Sequence, residues 1–240
     1  MEFQNKTVIV TGAGVGIGKA TALEFAKNGA NVCIVDINAE GLEALATEIR
    51  ALGARVSAYV CDVSDEGRVR EVVAQIASEY GRIDILVNNA AIWRMWKLFV
   101  DTTSDEWKQR WSVNVLGLMY FTHEVLPHMI KNSYGRIVNI GSVAGTNGNA
   151  YMADYSMTKG AVSSFTKALA KEVALQGITV NNVVAGSVRN EGKQAETDLC
   201  YMGRNGELEE YAYLICFLAS DKAAYISGQD YRIDGCRRKN

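Results

Sequence analysis

Tyr155 and Lys159 stand four residues apart, and Ser142 precedes the tyrosine by thirteen. On a helix, side chains four apart share a face. An ammonium beside a phenol stabilises the phenolate. The spacing therefore predicts a tyrosine whose pKa is drawn down from about 10 toward the working range of an acid/base catalyst. A serine hydroxyl reaching in from a separate loop would hold a substrate oxygen against that phenol. Taken alone, Tyr-x-x-x-Lys is the spacing of any solvated helix face. Tyr151 shows how little it means by itself, because the residue four further on is Tyr155 and not a lysine.

The pair gains its meaning from the elements that must position it. Thr7–Val10 is a short β-branched run that leads into Thr11-Gly12-Ala13-Gly14-Val15-Gly16-Ile17-Gly18 and then a helical pattern. Strand, glycine turn and helix in that order suit a dinucleotide-phosphate loop: a backbone without Cβ atoms approaches a pyrophosphate, and the helix aims its free N–H groups at the anion. The alternation continues along the chain. Strands are expected at Thr7–Val10, Asn31–Val35, Val56–Cys61, Ile83–Val87, Arg136–Ile140, Ile178–Val184 and Tyr231–Ile233. Helices are expected near 17–28, 39–52, 65–80, 104–130, 153–176 and 207–219. Apolar β-branched runs divided by amphipathic helices predict an α/β fold, a single-domain Rossmann fold over 1–240. Its doubly wound parallel sheet has about seven strands covered on both faces, and its ligand lies beyond the carboxyl ends of the strands. Pro127, the single proline, is expected to kink or interrupt the helix it falls in.

The Gly12-x-x-x-Gly16-x-Gly18 loop together with Tyr155 and Lys159 resembles the short-chain dehydrogenase/reductase family, and the similarity runs over almost the whole chain. Asp62-Val63 looks like the family's adenine-contacting pair. Asn88-Asn89-Ala90-Ala91 matches its Asn-Asn-Ala-Gly stretch except at Ala91. Val113-Asn114-Val115 is similar to the helix that carries its catalytic asparagine, and Asn139-Ile140-Gly141-Ser142 to the strand end that carries its serine. The resemblance implies an oxidoreductase acting on CH–OH groups, with Asn114, Ser142, Tyr155 and Lys159 catalytic. Asn114 would fix a water in a proton relay; otherwise it braces a helix bend. Lys159 would also hold the nicotinamide ribose. The same resemblance places Gly14, Val15, Ile17, Asn89, Ala90, Ala91, Gly186 and Val188 along the cofactor.

Asp36 follows Ile34-Val35, where a carboxylate accepts ribose hydroxyls of NAD and repels a 2′-phosphate. It could equally cap the next helix. Val15 and Ile37 occupy positions where NADP-preferring members often carry a basic residue. NAD is therefore the expected cofactor, ahead of NADP. The expected reaction is hydride transfer between NAD(H) and a secondary alcohol or ketone. The alternatives are an NADPH-dependent 3-oxoacyl-thioester reductase of fatty-acid synthesis and a dinucleotide-binding protein without catalysis.

The departures from the family pattern gather at one end. Ala185-Gly186 stands for Pro-Gly, Asn190 for a threonine, Leu208 for a common proline and Cys236 for a glycine, and the substrate lid near 187–205 is short. Substrate walls are expected from Ile92-Trp93-Arg94-Met95-Trp96, from Asn147, Asn149 and Tyr151, and from Ser187, Val188 and Arg189. Arg94 or Arg189 is a candidate for an anionic group. Arg237-Arg238-Lys239 is expected in solvent, and Trp107 and Trp111 in packing.

A net charge of −2 over 240 residues argues against nucleic acid or an anionic membrane as partner. The five cysteines include no Cys-x-x-Cys, which points to reduced thiols in a cytoplasmic protein with no metal. The first strand begins too early to leave room for a signal peptide. The helices near 104–130 and 153–176 are expected to build a dimer or homotetramer. On the second, Met157, Ala161, Phe165, Ala168, Leu169 and Val173 form an apolar stripe read mainly as core.

Overall fold

The computed structural model describes residues 1–93, 96–189 and 197–238. Seven short apolar runs form one parallel sheet in the order β3-β2-β1-β4-β5-β6-β7. They are β1 Thr7–Thr11, β2 Asn31–Asp36, β3 Val56–Val60, β4 Ile85–Asn88, β5 Gly135–Ser142, β6 Ile178–Ala185 and β7 Asp230–Ile233. Strand order reverses between β1 and β4, which opens a crevice at their carboxyl ends.

Helices α1 Gly16–Lys27, α2 Ala39–Ala51, α3 Glu66–Tyr80, α4 Ser104–Trp111, α5 Leu118–Lys131, α6 Val143–Asn147, α7 Ala153–Val173 and α8 Leu208–Ala219 cover the sheet. One core gathers Phe25, Leu42, Leu45, Ile49, Ile215 and Leu218 from α1, α2 and α8. The other gathers Val69, Val72, Ile76, Phe121, Val125, Leu169 and Val173 from α3, α5 and α7. Strands buried on both faces explain why they read as unbroken apolar runs rather than alternating ones. Local chemistry sets the helix starts. The side chains of Asn38 and Asp65 accept from Gly41 and Arg68 N–H groups, and Thr103 with Glu106 closes a capping box.

The structure departs from the sequence expectation in several places. β4 starts at Ile85 rather than Ile83, and β5 runs on to Ser142. The helical stretch expected over 104–130 is interrupted by a π turn at Ser112–Gly117, not at Pro127, which lies on the exposed side of a continuous α5. The reason is tertiary. A Cβ on Gly117 would come within 2.6 Å of Val63, so the chain widens where it presses on the loop after β3. The short α6 directly after Ser142 had no counterpart in the sequence reading. The stripe on α7 is divided: Leu169 and Val173 are core, whereas Met157 and Ala168 face outward. Trp107 stacks on Phe99 with ring centroids 5.2 Å apart, but Trp111 is exposed. No described helix is long and apolar enough to cross a membrane.

Candidate active site

A cleft of about 720 Å³ lies along the carboxyl ends of the strands. It is lined by Gly12, Val15, Gly16, Ile17, Asp36, Ile37, Asp62, Val63, Asn89, Ala90, Ala91, Ser142, Tyr155, Lys159, Gly186 and Val188. Three expected residues stand behind the lining instead. Gly14 gives its N–H to Asp36 Oδ2 at 2.9 Å. Gly18 lies under the loop, where a Cβ would come 2.1 Å from the Gly12 carbonyl oxygen. Asn114 is buried beneath the site.

The glycine loop is held to the loop after β4 from both sides. Thr11 Oγ1 accepts from the N–H groups of Asn89 and Ala90 at 3.0 and 3.1 Å. Asn89 Nδ2 donates to the carbonyls of Thr11 and Gly12 at 3.0 and 2.9 Å. Asn89 thus shapes the loop through its side chain. Gly12 turns with φ +62, and α1 begins with no side-chain cap and no acidic residue in its first turn. Its leading N–H groups and positive dipole end remain available to an anion, a donor set that fits a pyrophosphate.

Asp36 closes the second strand with both oxygens engaged, Oδ2 by Gly14 and Oδ1 by the N–H of Asn38 at 3.0 Å. The cap of α2 is Asn38, so the alternative role considered for Asp36 falls to its neighbour. Among the described residues, the basic ones in the cleft lining are Lys159 and Arg237, and neither is next to Val15 or Ile37 in the chain. Asp62 accepts from Ser64 N–H and Oγ at 2.9 and 2.7 Å.

At the centre of the cleft, Ser142 ends β5 and Tyr155 and Lys159 project from α7. Ser142 Oγ accepts from Ala144 N–H at 3.2 Å, and the serine side chain lies near enough to the Tyr155 phenol to act on its titration. Burial raises the phenol above its ordinary pKa, and the serine contact opposes that rise. The expected lowering by Lys159 is not what this geometry produces. Its Nζ lies 5.9 Å from the tyrosine ring centroid and donates to the Ile140 carbonyl at 2.7 Å. Only 5% exposed, the lysine is itself brought down from 10.5 to about 8 by desolvation.

Asn114 sits in the π turn and binds the backbone of Ile92 twice. Oδ1 accepts from its N–H at 2.8 Å and Nδ2 donates to its carbonyl at 3.0 Å. Nδ2 also reaches Thr158 Oγ1 at 3.2 Å, and that hydroxyl donates to the Tyr155 carbonyl at 2.8 Å. The side chain therefore braces the bend, linking the loop after β4 to the helix that carries the tyrosine.

Two supports were missed in the sequence. A Cβ on Gly145 would come 2.5 Å from the Lys159 backbone, so α6 lies directly on α7 beside the lysine. Arg110 and Asp154 form a buried ion pair between α4 and the start of α7, and Asp154 Oδ1 also accepts from Tyr155 N–H at 2.9 Å. Nothing in the spacing of a lone arginine and aspartate signals such a pair.

The other end of the cleft is lined by Trp93, Trp96, Asn149, Met152, Ser187, Leu199, Asn205 and Arg237. The aromatic wall is where it was expected. Asn147 is instead bound by Arg232, Tyr151 leans on Trp96 with centroids 6.3 Å apart, and Arg189 pairs with Glu207 at 2.9 Å. Arg94, Met95, Asn190 and Lys239 lie outside the described residues. Arg237, expected in solvent, turns back into the lining. The Asp234-Gly235 turn signal after the last strand was the available hint.

A doubly wound parallel sheet with this tyrosine, lysine and serine at its strand ends defines a nicotinamide-dependent oxidoreductase acting on CH–OH groups. The chain belongs to the short chain dehydrogenase family, whose profile matches residues 6–198. It is 42% identical to the 3-oxoacyl-(acyl-carrier-protein) reductase of Thermotoga maritima and 37% identical to that of Escherichia coli, over 98% of both chains in each case. Among solved structures, NAD+-bound xylitol dehydrogenase superposes with a TM-score of 0.93 at 31% identity, covering 98% of this chain and 100% of that one.

Proposed function

We propose that the protein transfers a hydride between NAD(H) and a secondary alcohol or ketone, with Tyr155 as general acid/base. The observation that carries the choice of NAD(H) is the Asp36 carboxylate, fixed at the cleft wall by Gly14 and Asn38 N–H groups. It is placed to accept ribose hydroxyls, and its charge opposes a 2′-phosphate. Gly12, Gly16 and Ile17 line the path for the pyrophosphate, Val15, Ile37, Asp62 and Val63 the adenosine end, and Ala90, Ala91, Gly186 and Val188 the nicotinamide end. When bound, the nicotinamide supplies or takes the hydride.

The chain's own residues handle the proton. Ser142 Oγ holds the substrate oxygen beside the phenol, so donor and acceptor meet in one geometry. A phenol raised by burial keeps its proton near neutrality and is set to protonate a ketone oxygen. Oxidation of the alcohol needs the phenolate and gains as pH rises. Lys159, anchored on Ile140, supplies a donor to the cofactor ribose. Asn114 positions rather than reacts.

A second reading is favoured by the two reductase relatives at full-length coverage: reduction of a 3-oxoacyl thioester with NADPH. Asp36 is the feature that speaks against it. We further propose that the chain acts as one domain; residues 190–196 of the lid expected near 187–205 lie outside the described residues. In this reading it works in the cytoplasm and pairs into a dimer or tetramer through the outward faces of α4, α5 and α7, where Trp111 and Met157 are exposed.

The test is initial rate with NADH and NADPH in parallel over ketones, secondary alcohols and acyl thioesters, with Tyr155→Phe as control. NADH-dependent ketone turnover, reduced by about 10²-fold or more in the variant, is the expected result. Turnover confined to NADPH and thioesters replaces it with the second reading.

A further inference from the structure

The arginines around the mouth of the cleft differ in how they are neutralised. Arg189 pairs with Glu207 at 2.9 Å and Arg204 with Glu210 at 2.7 Å. Arg238 lies over the Tyr201 ring, 5.0 Å from its centroid. Arg237 lines the cleft and has no carboxylate partner among the described residues; its Nη1 donates to Ser187 Oγ at 3.1 Å.

Its position is built by the backbone. After β7 the tail turns at Gly235 and Cys236, both with positive φ, while Asp234 Oδ1 accepts from the N–H groups of Cys236 and Arg237. The turned tail then runs antiparallel to the segment at Cys200, with Tyr201 N–H on the Cys236 carbonyl at 3.0 Å and Arg238 N–H on that of Leu199 at 3.0 Å. Ser187, the anchor, is fixed in turn by Gly206 N–H on its carbonyl at 3.0 Å. A partly buried guanidinium without a counter-charge, held in the cleft lining by Ser187, has donors left for an anion.

We infer that Arg237, oriented by Ser187, forms an anion subsite that selects substrates bearing a carboxylate as well as the reacting carbonyl. The inference rests on the reading of the cleft as a ketone or alcohol site. Ser187 lies two residues beyond Ala185, the register partner of Ser142. At about 3.3 Å per extended residue and ~4.8 Å between strands, the two serines are roughly 8 Å apart, within the span of a small oxo acid. The guanidinium fork offers a carboxylate two parallel donors. The dinucleotide's pyrophosphate is the competing anion in the same cleft.

The full chain loaded with NADH is titrated with acetoacetate and levulinate and with their methyl esters, following NADH fluorescence and the thermal unfolding midpoint; kcat/KM is then measured for the same four compounds. The wild type is expected to prefer each acid to its ester. Arg237→Ala lowers that preference by about 10- to 100-fold, and Arg237→Lys restores part of it. Equal binding of acid and ester by the wild type, or a preference that survives Arg237→Ala, overturns the inference. So does a loss confined to NADH affinity, which assigns the arginine to the pyrophosphate. Acid binding that depends on Arg237 without turnover of any ketone keeps the subsite and removes the catalytic reading. Ketone turnover without acid preference does the reverse.

Discussion

Lys159 makes a measurable conflict between catalysis and stability. Its ammonium is buried, donates to the Ile140 carbonyl at 2.7 Å and is brought from 10.5 to about 8 by desolvation. That difference corresponds to a cost on the order of 3 kcal/mol for carrying the charge in the folded protein. Lys159→Met removes the charge and fills the space with a stem of similar length. It also removes a charge-assisted hydrogen bond worth about 1.5–3 kcal/mol. The two contributions nearly cancel at pH 7, so the diagnostic quantity is the pH dependence of the difference between wild type and variant.

Between pH 8 and 10.5 the unfolded chain keeps the lysine proton while the native state has lost it. The unfolded state then binds more protons, so wild-type stability rises with pH in that window relative to the variant. Below about pH 8 both states are protonated and the difference is flat. Urea unfolding of both proteins at pH 7 and pH 10 should show the wild type gaining roughly 2–3 kcal/mol on the variant. Other titrating groups are common to both proteins and drop out, and the Tyr155→Phe background removes the buried phenol as well. A stability difference that stays constant from pH 7 to 10 would refute the claim that burial sets this lysine's charge. Activity is expected to disappear in the variant at every pH.

The remaining predictions concern the supports of the site. Arg110→Leu leaves Asp154 buried without its cation and is expected to cost about 3–5 kcal/mol, read as a fall in melting temperature of roughly 6–20 °C. The double variant Arg110→Leu/Asp154→Leu should recover most of that loss, and additive losses would show that the two side chains do not act as a pair. Asp36→Ala is expected to lower the preference for NADH over NADPH in kcat/KM by about 10- to 100-fold. An unchanged ratio would move the origin of cofactor choice away from the second strand.

The order of elements was legible because each carries a local signal. β-branched runs mark the strands, and the glycine loop needs its strand and helix on either side, whereas the caps Asn38, Asp65 and Thr103 were not singled out in the sequence. The candidate reacting groups could be picked out for the same reason, since Tyr155 and Lys159 lie on one helix at a spacing that can be read directly. What could not be read depends on contacts distant in sequence. The π turn arises where Gly117 meets Val63, the position of the lysine where Gly145 meets the α7 backbone, and the buried Arg110–Asp154 pair where α4 meets α7. Arg237 belongs to the same class. Three consecutive basic residues at a chain end read as solvated, and only the turn at Gly235 and Cys236 directs one of them inward.

The strand ends are brought level by side chains as well as by the backbone. Asn88, Asn139 and Asn182 are register partners across β4, β5 and β6. Asn88 Nδ2 donates to Asn139 Oδ1 at 2.9 Å and to Thr122 Oγ1 at 3.0 Å, while Asn139 Nδ2 donates to Thr166 Oγ1 at 2.9 Å. Asn182 Nδ2 reaches Asp230 Oδ1 on β7 at 2.6 Å. These amides are buried among apolar strands, where an unpaired polar group costs more than a paired one returns. A slip of one residue in any of these strands would break the amide row and turn each side chain to the opposite face. The apolar residues alone fix register weakly here, because strands covered on both faces present similar surfaces to either side. The asparagine row supplies part of the missing discrimination, through the Asn88–Asn139 bond between β4 and β5 and the Asn182–Asp230 bond between β6 and β7, with Asn88 Oδ1 and Asn182 Oδ1 left unpaired. It lies three residues below Ser142 on β5 and, on β4, directly before Asn89, so the same interactions that set the register also set the height of the serine relative to the glycine loop.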